Sequence, residues 1–445
     1  MPERSPSLPA FLRSRARSLG PKPALIVSTP RGDALWTFAD LWMEVRRQAT
    51  EFLDRGLCPR SPVLLAGRPS PETLLTELAL QAVQCFAIRL APDLPVDRLS
   101  DAARATEVPL VMHRGLPADR LEALMGDLPD VPVLPVPEPI PPTGRPLDGT
   151  EDPRLEGLVP SGPDGAAVAV LPEGSADLVL ARLLTQRNLL GLGERVGLEL
   201  GGTEQDVWWV PVPGYGAAPY TAGLAPAWIS GGIVGLVPDV ADPMEGLWRI
   251  HPTVAVTRAR EAEQLADRLL EEVAGAAGWN GRLARWAVRA ATGPGRNDPL
   301  VAVLDALVGH SGRSVLKALI GGRLDRLVVL GDLSDRAADT FAAFQVTTFL
   351  ARGPLVAADL WTLDRLPVPD ARGTLVPGTE VRLDAEGRLE VRGISATRRL
   401  ALKGWRSPER TEDWLPTYCP GSLSGQRLHW TPPAGAPMPP STKTL

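Results

Sequence analysis

Residues 166–190, which read AAVAVLPEGSADLVLARLLTQRNLL, decide the fold of this chain. The apolar run 167–171 predicts a buried strand, and it breaks at the Pro-Glu-Gly-Ser sequence of residues 172–175. A second apolar run, residues 178–184, predicts another strand, and Thr185 stands where it would cap a following helix. A strand, a loop of small residues, a strand and a capped helix are the elements that mount a phosphate-cradling loop.

The composition is that of an ordinary globular protein. The chain has 445 residues, of which 44% are hydrophobic and 22% charged, so it can bury a large core and hold two or three lobes. Its 43 glycines and 47 prolines predict many stiff loops. A net charge of −5 provides no basic field for nucleic acid or anionic lipid.

Cysteine and histidine are too scattered to predict a structural centre. Cys58, Cys85 and Cys419 are far apart in the sequence, and the four histidines are equally dispersed, so we expect neither a disulfide framework nor a metal site. The start of the chain, MPERSPSLPAF, lacks the apolar core of a signal peptide, and no run of 18 uncharged apolar residues follows. These features predict a cytoplasmic protein without a transmembrane segment.

Helical and strand patterns alternate through the first part of the chain. Thr37 is a predicted helix N-cap, and Gly56 a predicted stop. Strands are predicted at residues 63–66, 87–90 and 108–112, with helices after Ser70 and over residues 95–105. Such alternation predicts a parallel sheet covered by helices. We divide the chain into a first α/β subdomain (1–127), a proline-rich linker (128–165), a second α/β subdomain (166–350), a small β-rich subdomain (351–430) and a tail (431–445).

The linker contains the sequence VPVLPVPEPIPP. A run of this kind favours an extended, semi-rigid connector between lobes. The alternative interpretation is a proline-rich recognition motif for a partner domain, which adopts the same extended conformation.

Residues 166–190 resemble the signature loop of the adenylate-forming (AMP-binding) superfamily, the AMP-dependent acyl-CoA synthetases and ligases, which reads Y-T-S-G-T-T-G-x-P-K-G-V-x-L-T-H-x-N-L. Aligned without a gap, the matching residues are Gly174, Leu184, Thr185, Asn188 and Leu189. The sequences TFADL and RLAPDLPVDRL, in the first subdomain, also have counterparts there. The resemblance implies the N-terminal body of that superfamily, an α/β fold of two helix-flanked sheets packed together plus a small β-rich lobe.

The positions that would handle phosphate depart from the pattern. Glu173 replaces the serine, Ser175 and Ala176 replace the threonine pair, Asp177 replaces the second glycine and Leu180 replaces the lysine. The two carboxylates would repel a triphosphate, and a leucine provides no positive charge for the charge that develops on phosphate oxygens.

The other nucleotide positions implied by the resemblance also differ. Asp332 lies in a shortened counterpart of the adenine loop, and Gly353 opens the segment where the superfamily has G-Y-G-x-T-E. Val356 then stands at the magnesium-binding glutamate and Cys419 at the ribose-binding aspartate. Magnesium prefers oxygen ligands, which valine lacks, and a thiol cannot accept two ribose hydrogen bonds as a carboxylate does. The superfamily's C-terminal lid, which carries the acylation lysine, has no counterpart in this sequence.

Two functions follow from this resemblance. The first is a non-catalytic relative, a pseudoenzyme of fatty acyl-CoA synthetases that acts as a binding or scaffolding module and needs no cofactor. The alternative is a divergent AMP-dependent acyl-CoA ligase, or one subunit of a split ligase, which would use ATP and magnesium. Residues 278–287 resemble the long-chain fatty acyl branch, which implies an acyl ligand, although an ordinary amphipathic helix explains them equally well.

The face that a lid would cover is predicted to be apolar. It contains residues 354–356, Trp414, Leu415, Tyr418, Cys419 and Trp430. Exposed apolar patches of this kind mark protein interfaces, so we expect a protein partner or a second copy of the chain there. The alternative is that the tail, residues 431–445, folds back over the patch.

Overall fold

The computed structural model describes residues 7–29, 32–91, 93–144, 152–158, 162–171, 181–211, 216–238, 243–292, 314–353, 360, 362–366, 373–399, 414–424 and 427–430. The helices are α1 (Leu8–Leu19), α2 (Phe38–Asp54), α3 (Pro71–Ala82), α4 (Val96–Ala105), α5 (Ala118–Asp127), α6 (Pro153–Gly157), α7 (Gly193–Glu199), α8 (Ala225–Ile229), α9 (Pro243–Ile250), α10 (Ala259–Gly275), α11 (Gly278–Thr292) and α12 (Asp335–Ala343). Two π-helical segments, Asn188–Leu192 and Pro219–Leu224, precede α7 and α8.

The strands form three sheets. They are β1 (Pro23–Thr29), β2 (Gly32–Thr37), β3 (Pro62–Gly67), β4 (Phe86–Leu90), β5 (Val111–Arg114), β6 (Val133–Pro135), β7 (Ala166–Val170), β8 (Arg182–Thr185), β9 (Val207–Trp209), β10 (Ile233–Leu236), β11 (Val254–Arg258), β12 (Arg326–Leu330), β13 (Thr347–Arg352), β14 (Thr362–Arg365), β15 (Gly373–Thr374), β16 (Thr379–Leu383), β17 (Arg388–Gly393), β18 (Arg398–Arg399), β19 (Leu415–Ser424) and β20 (Arg427–Trp430). Lobe one is built on a seven-stranded sheet of order β18-β8-β7-β4-β3-β5-β6, and lobe two on an eight-stranded sheet of order β14-β13-β12-β11-β9-β10-β1-β2.

Both large sheets are mainly parallel, as the alternating pattern predicts. In lobe one β7, β4, β3, β5 and β6 run parallel, and in lobe two β13, β12, β11, β9, β10 and β1 do so. Strands buried on both faces read as continuous apolar runs, which is why the segments PVLLAG and RLVVL could be predicted as strands. The predicted α/β class is confirmed.

Local capping fixes the start of two helices. The side chain of Thr37 accepts a hydrogen bond from the backbone N–H of Asp40, and Asp40 accepts one from the backbone N–H of Thr37, which makes a capping box. Ser70 and Thr73 form the same reciprocal pair at the start of α3. The predicted N-cap at Thr37 is confirmed, and α2 ends just before Gly56, which has a φ of +76°.

One apolar core lies between the two large sheets. It joins Leu65 and Val168 of lobe one to Trp208 and Val234 of lobe two, and α1, α2 and α3 contribute to it. Trp228 is completely buried there, and its indole N–H donates to the carbonyl oxygen of Ala24 at 2.9 Å. The two lobes therefore share a continuous packed interior.

The sequence divisions do not coincide with the sheets. Strand β1, from the N-terminal segment, pairs with β10 in lobe two, and β2 pairs with β1. In contrast, β7 pairs with β4 in lobe one, and β8 pairs with β7. Hydrophobic periodicity predicts that a segment is a strand but contains no information about its neighbour in the sheet. The boundary between the lobes is therefore crossed several times by the chain.

The proline-rich segment also differs from the connector that we expected. Residues 133–135 form β6, which pairs with β5 at the edge of lobe one. Farther along, the backbone N–H groups of Thr143 and Gly144 donate to Asp40 Oδ1 at 2.9 and 3.0 Å. The described part of this segment is therefore an edge strand followed by a strap held on α2, because buried carboxylates there provide acceptors for its backbone.

The third lobe is a five-stranded antiparallel sheet of order β15-β20-β19-β17-β16. Strands β16 and β17 pair as an antiparallel hairpin, with Val381 opposite Val391. After this hairpin the chain returns to lobe one, where β18 pairs with β8.

Candidate functional site

The predicted phosphate loop lies between β7 and β8. Residues 172–180 are outside the described residues, so the positions of Glu173, Gly174, Ser175, Ala176, Asp177 and Leu180 remain sequence predictions. The frame of the loop is described: β7 runs parallel to β4, and β8 returns antiparallel to β7. The backbone N–H of Gly216 donates to the carbonyl oxygen of Leu171 at 3.2 Å, which brings the segment after β9 beside the start of the loop.

Thr185 and Asn188, which match the superfamily pattern, have structural roles in this chain. The Asn188 Oδ1 atom accepts from the backbone N–H and the hydroxyl of Thr185 at 2.8 and 3.0 Å. Its Nδ2 atom donates to the carbonyl oxygens of Ile394 and Ala396 at 2.7 and 3.0 Å. Both side chains are completely buried. The predicted site residue Thr185 therefore orders the helix start and the contact with lobe three.

Two predicted positions, Asp332 and Gly353, lie at the carboxyl edge of the sheet of lobe two. Strands β11, β12 and β13 run parallel, so the segments that follow them lie side by side. Asp332 follows β12, and its Oδ1 atom is 3.3 Å from Nη1 of Arg352, the last residue of β13. Gly353 comes next in the chain and is half-buried. Val356 lies in 354–359, outside the described residues.

Arg352 is held from two sides. Its Nη2 atom donates to Asp364 Oδ2 at 2.8 Å, and Asp364 in turn accepts from the backbone N–H of Thr374. The Asp364 side chain is 4% exposed and that of Asp332 is 84% exposed, so the guanidinium lies between a buried and a solvent-facing carboxylate. The Asp332–Arg352–Asp364 cluster has two carboxylates and one guanidinium, so its net charge is negative, which opposes a phosphate.

Cys419 lies in the interior of lobe three. It is completely buried in a cluster that includes Leu389, Val391 and Leu428. Its thiol donates to the carbonyl oxygen of Thr417 at 3.4 Å, and burial raises the pKa of the thiol. The thiol is therefore neutral at physiological pH, and its one proton is already donated within the lobe.

The predicted bare apolar face is wrong for the members that the structure describes. Leu415 is 7% exposed and Cys419 is buried. The ring of Trp414 lies 4.4 Å from the guanidinium carbon of Arg382 and 4.6 Å from that of Arg392, so its two neighbours are stacked cations. The antiparallel pairing of β17 with β19 turns these residues into the lobe or beneath arginines. Residues 354–356 and the side chains of Tyr418 and Trp430 are outside the described set.

A charged cluster that our sequence analysis missed lies between the lobes. Arg89, in β4, has its Nε atom 3.1 Å from Glu77 Oε1, and both side chains are 1% exposed. Tyr220, from the second π-helical segment, donates to Glu77 Oε2 at 3.0 Å. The signal was present in the sequence, since Arg89 interrupts the apolar strand FAIRL and Glu77 interrupts an apolar helix.

Neither a metal cluster nor a membrane span is found in the described parts of the chain. No group of three or more His, Cys, Asp or Glu side chains is placed there to hold a metal ion. No helix among those residues is long and apolar enough to cross a membrane.

The fold and the sequence both match known proteins. Residues 12–173 match the family described as AMP-binding enzyme. No curated protein sequence matches the chain. Among solved structures, a Rhodopseudomonas palustris CGA009 protein described as a long-chain-fatty-acid CoA ligase is 15% identical, with 96% of this chain and 99% of that chain covered and a TM-score of 0.69.

Two further structures consist of N-terminal parts of such proteins. The N-terminal domain of FACL13 from Mycobacterium tuberculosis, with an inhibitor bound, is 12% identical, covers 96% of this chain and 99% of its own, and has a TM-score of 0.68. The Klebsiella oxytoca NpsA N-terminal subdomain is 14% identical, with coverages of 96% and 100% and a TM-score of 0.60. At these identities the likeness concerns the fold.

These findings define the class of the protein as an α/β body of the kind found in the N-terminal domain of adenylate-forming enzymes. The family match covers residues 12–173, and the structures of similar fold include a protein described as a long-chain-fatty-acid CoA ligase. The predicted resemblance is confirmed.

Proposed function

We propose that this chain is a non-catalytic relative of the AMP-dependent fatty acyl-CoA synthetases and acts as a binding or scaffolding module. The observation that carries the proposal is the burial of the Cys419 thiol, a residue that the sequence resemblance aligns with the superfamily's ribose-binding aspartate. A neutral thiol whose proton is donated to Thr417 offers a ribose neither a carboxylate nor an open surface.

The charges around the other positions support the same conclusion. The Asp332–Arg352–Asp364 cluster has two carboxylates and one guanidinium. In the sequence, the loop between β7 and β8 contributes Glu173 and Asp177, and Leu180 replaces the lysine. Adenylation needs positive charge where phosphate oxygens gain negative charge, and removing one such stabilising group typically costs roughly 10²–10³-fold in rate.

The retained residues support a binding role. Thr185 and Asn188 match the superfamily pattern and hold the lobes together, whereas the residues that differ are those the pattern assigns to nucleotide and metal. The packing residues are retained while the nucleotide-binding residues are replaced. This pattern suits a module whose role is to present a binding surface. The partner we propose is a protein or a second copy of the chain, with an acyl ligand as a further candidate and no requirement for ATP or magnesium.

The alternative function is a divergent ligase or one subunit of a split ligase. The match to the AMP-binding enzymes over residues 12–173, which reaches into the loop after β7, favours this alternative. It requires a nucleotide site rebuilt from residues other than Cys419.

Calorimetric titration distinguishes the two. We expect Mg-ATP and AMP to show no saturable binding with a Kd below about 1 mM. A catalytically competent adenylate-forming enzyme is the positive control. Saturable, magnesium-dependent ATP binding in the micromolar range would contradict the proposal and support the ligase.

A further inference from the structure

The Glu77–Arg89–Tyr220 cluster joins the two large lobes. Glu77 on α3 and Arg89 on β4 belong to lobe one, and Tyr220 precedes α8 in lobe two. All three side chains are buried within the core that the lobes share. Arg89 is the first residue of the RLAPDLPVDRL sequence, whereas Glu77 and Tyr220 lie outside the sequences that resemble the AMP-binding enzymes.

The guanidinium of Arg89 has more donors than acceptors. It carries five N–H groups. Among the described residues, its ion-pair contact is that of Nε with Glu77 Oε1 at 3.1 Å, and this contact lacks hydrogen-bond geometry. Nη1 and Nη2 are buried without a hydrogen-bond partner in the described structure. Each buried donor left unpaired costs about 1–3 kcal/mol, so a native protein normally supplies an acceptor there.

The neighbouring elements do not supply that acceptor. On β3 the register partner of Arg89 is Leu65, and its own strand is otherwise apolar. The polar groups on the adjoining turns of α3 are already paired: Thr76 donates to Gln48 of α2, and Gln81 accepts from Gln186. Tyr220 donates its proton to Glu77.

We propose that Arg89, Glu77 and Tyr220 form a carboxylate-binding site between the two lobes, in which Nη1 and Nη2 of Arg89 donate to the two oxygens of a bound carboxylate. A guanidinium fork matches a planar carboxylate better than it matches other anions of similar size. The apolar surroundings favour an acid with an apolar substituent. The proposed carboxylate site is independent of whether the chain adenylates a substrate.

The charges of the cluster imply that binding of a carboxylate is coupled to protonation of Glu77. Arg89 and Glu77 together are neutral, so a bound carboxylate would add a negative charge to the core unless Glu77 gains a proton. Burial raises the pKa of Glu77 to about 7, although Arg89 and Tyr220 act to lower it. When Glu77 is protonated, the ligand carboxylate becomes the counterion of Arg89, and the cluster with its ligand is neutral. Above about pH 7, where Glu77 of the free protein is ionised, binding should therefore consume one proton and weaken as the pH rises.

The test is calorimetry of the intact chain with hexanoate and its uncharged analogue hexanamide. We expect hexanoate to bind and hexanamide to fail. At about pH 8, where Glu77 of the free protein is mostly ionised, a comparison of buffers with different ionisation enthalpies should show uptake of about one proton. The affinity should fall about tenfold per pH unit above pH 7. Acetate and octanoate then distinguish the source: equal affinities indicate a small free acid, and tighter binding of octanoate indicates an acyl chain.

Two variants complete the test. Arg89→Met keeps the length of the side chain and should abolish hexanoate binding, whereas the matched control Arg104→Met, at an exposed arginine of α4, should leave it unchanged. If Arg89→Met does not fold, Tyr220→Phe removes only the hydroxyl that stabilises ionised Glu77, and should shift the pH profile of binding upward. Absence of binding, equal binding of acid and amide, or binding without proton uptake would overturn the proposal and leave buried water as the acceptor.

Discussion

The Nδ2 atom of Asn188 donates to the carbonyl oxygen of Ile394 at 2.7 Å, across 206 residues of sequence. The same atom donates to Ala396, and Oδ1 of the same amide caps the segment that begins at Thr185. One buried amide therefore orders the helix behind the signature loop and fixes the third lobe on the body. The two matching motif residues are explained by packing, without any nucleotide.

Replacing Asn188 with alanine should loosen this junction. Asn188→Ala leaves two buried carbonyl oxygens and the Thr185 N–H without their partner, so we expect a loss of about 1–3 kcal/mol in the free energy of unfolding. Urea denaturation followed by tryptophan fluorescence measures it. Glu199→Ala, at an exposed position of α7, is the control and should change stability by less than about 0.5 kcal/mol. Equal effects of the two substitutions would refute this role of Asn188.

The strap on α2 should depend on Asp40. Burial alone would raise the pKa of this carboxyl, but hydrogen bonds from Thr37, Thr143 and Gly144 lower it below its ordinary value. Asp40→Ala should speed amide hydrogen exchange at Thr143 and Gly144 at pH 7, because both amides lose their acceptor.

Because the folded-state pKa of Asp40 is depressed, its contribution to stability is present above the unfolded value and is lost as the pH falls through the folded value. The difference in unfolding free energy between wild type and Asp40→Ala should therefore shrink in acid. Asp101→Ala, at an exposed carboxylate of α4, should leave both amides as protected as in the wild type.

The thiols should react very differently. Cys58 is exposed, whereas Cys85 and Cys419 are buried. Burial raises the pKa of Cys85 to about 12 and also raises that of Cys419, so neither presents a thiolate at neutral pH. A chromogenic disulfide reagent should modify one thiol rapidly in the native protein and all three in denaturant. Cys58→Ser should remove the fast phase, and rapid labelling of Cys419 in the folded chain would contradict its burial.

Stability should vary with pH through Glu77. Burial raises its pKa in the folded state to about 7 from an ordinary value of 4.5, so the folded state binds the proton more tightly than the unfolded state. The resulting stability is fully present below about pH 4.5 and is lost as the pH rises through 7. Glu77→Gln cannot titrate and retains an acceptor for Tyr220, so its stability should vary less between pH 5 and 8. A parallel dependence in both proteins would exclude Glu77 as the titrating group.

Much of the fold could be predicted from the sequence, because each parallel strand buried on both faces reads as an apolar run. The segments at residues 62–67 and 326–330 are examples. Sheet membership could not be predicted, because the pairing of β1 with β10 joins residues about 200 positions apart and no local signal records it. The strap over α2 was missed for a similar reason, since its acceptor, Asp40, is remote in sequence.

The candidate site was predicted mainly through the resemblance. The alignment located Asp332 and Cys419, but only the structure shows that the first is ion-paired with Arg352 and the second is enclosed in lobe three. The Glu77–Arg89 pair was overlooked because each residue, taken alone, resembles an exposed charge within an otherwise apolar element.

Carboxylate-dependent exchange of pyrophosphate into ATP is the most direct test of the account. We expect the purified chain, with magnesium and a panel of short, medium and long fatty acids and aryl acids, to give no exchange above a heat-inactivated control. Turnover well above that control, abolished by substituting Ser175 or Glu173, would contradict the account and make the chain a ligase.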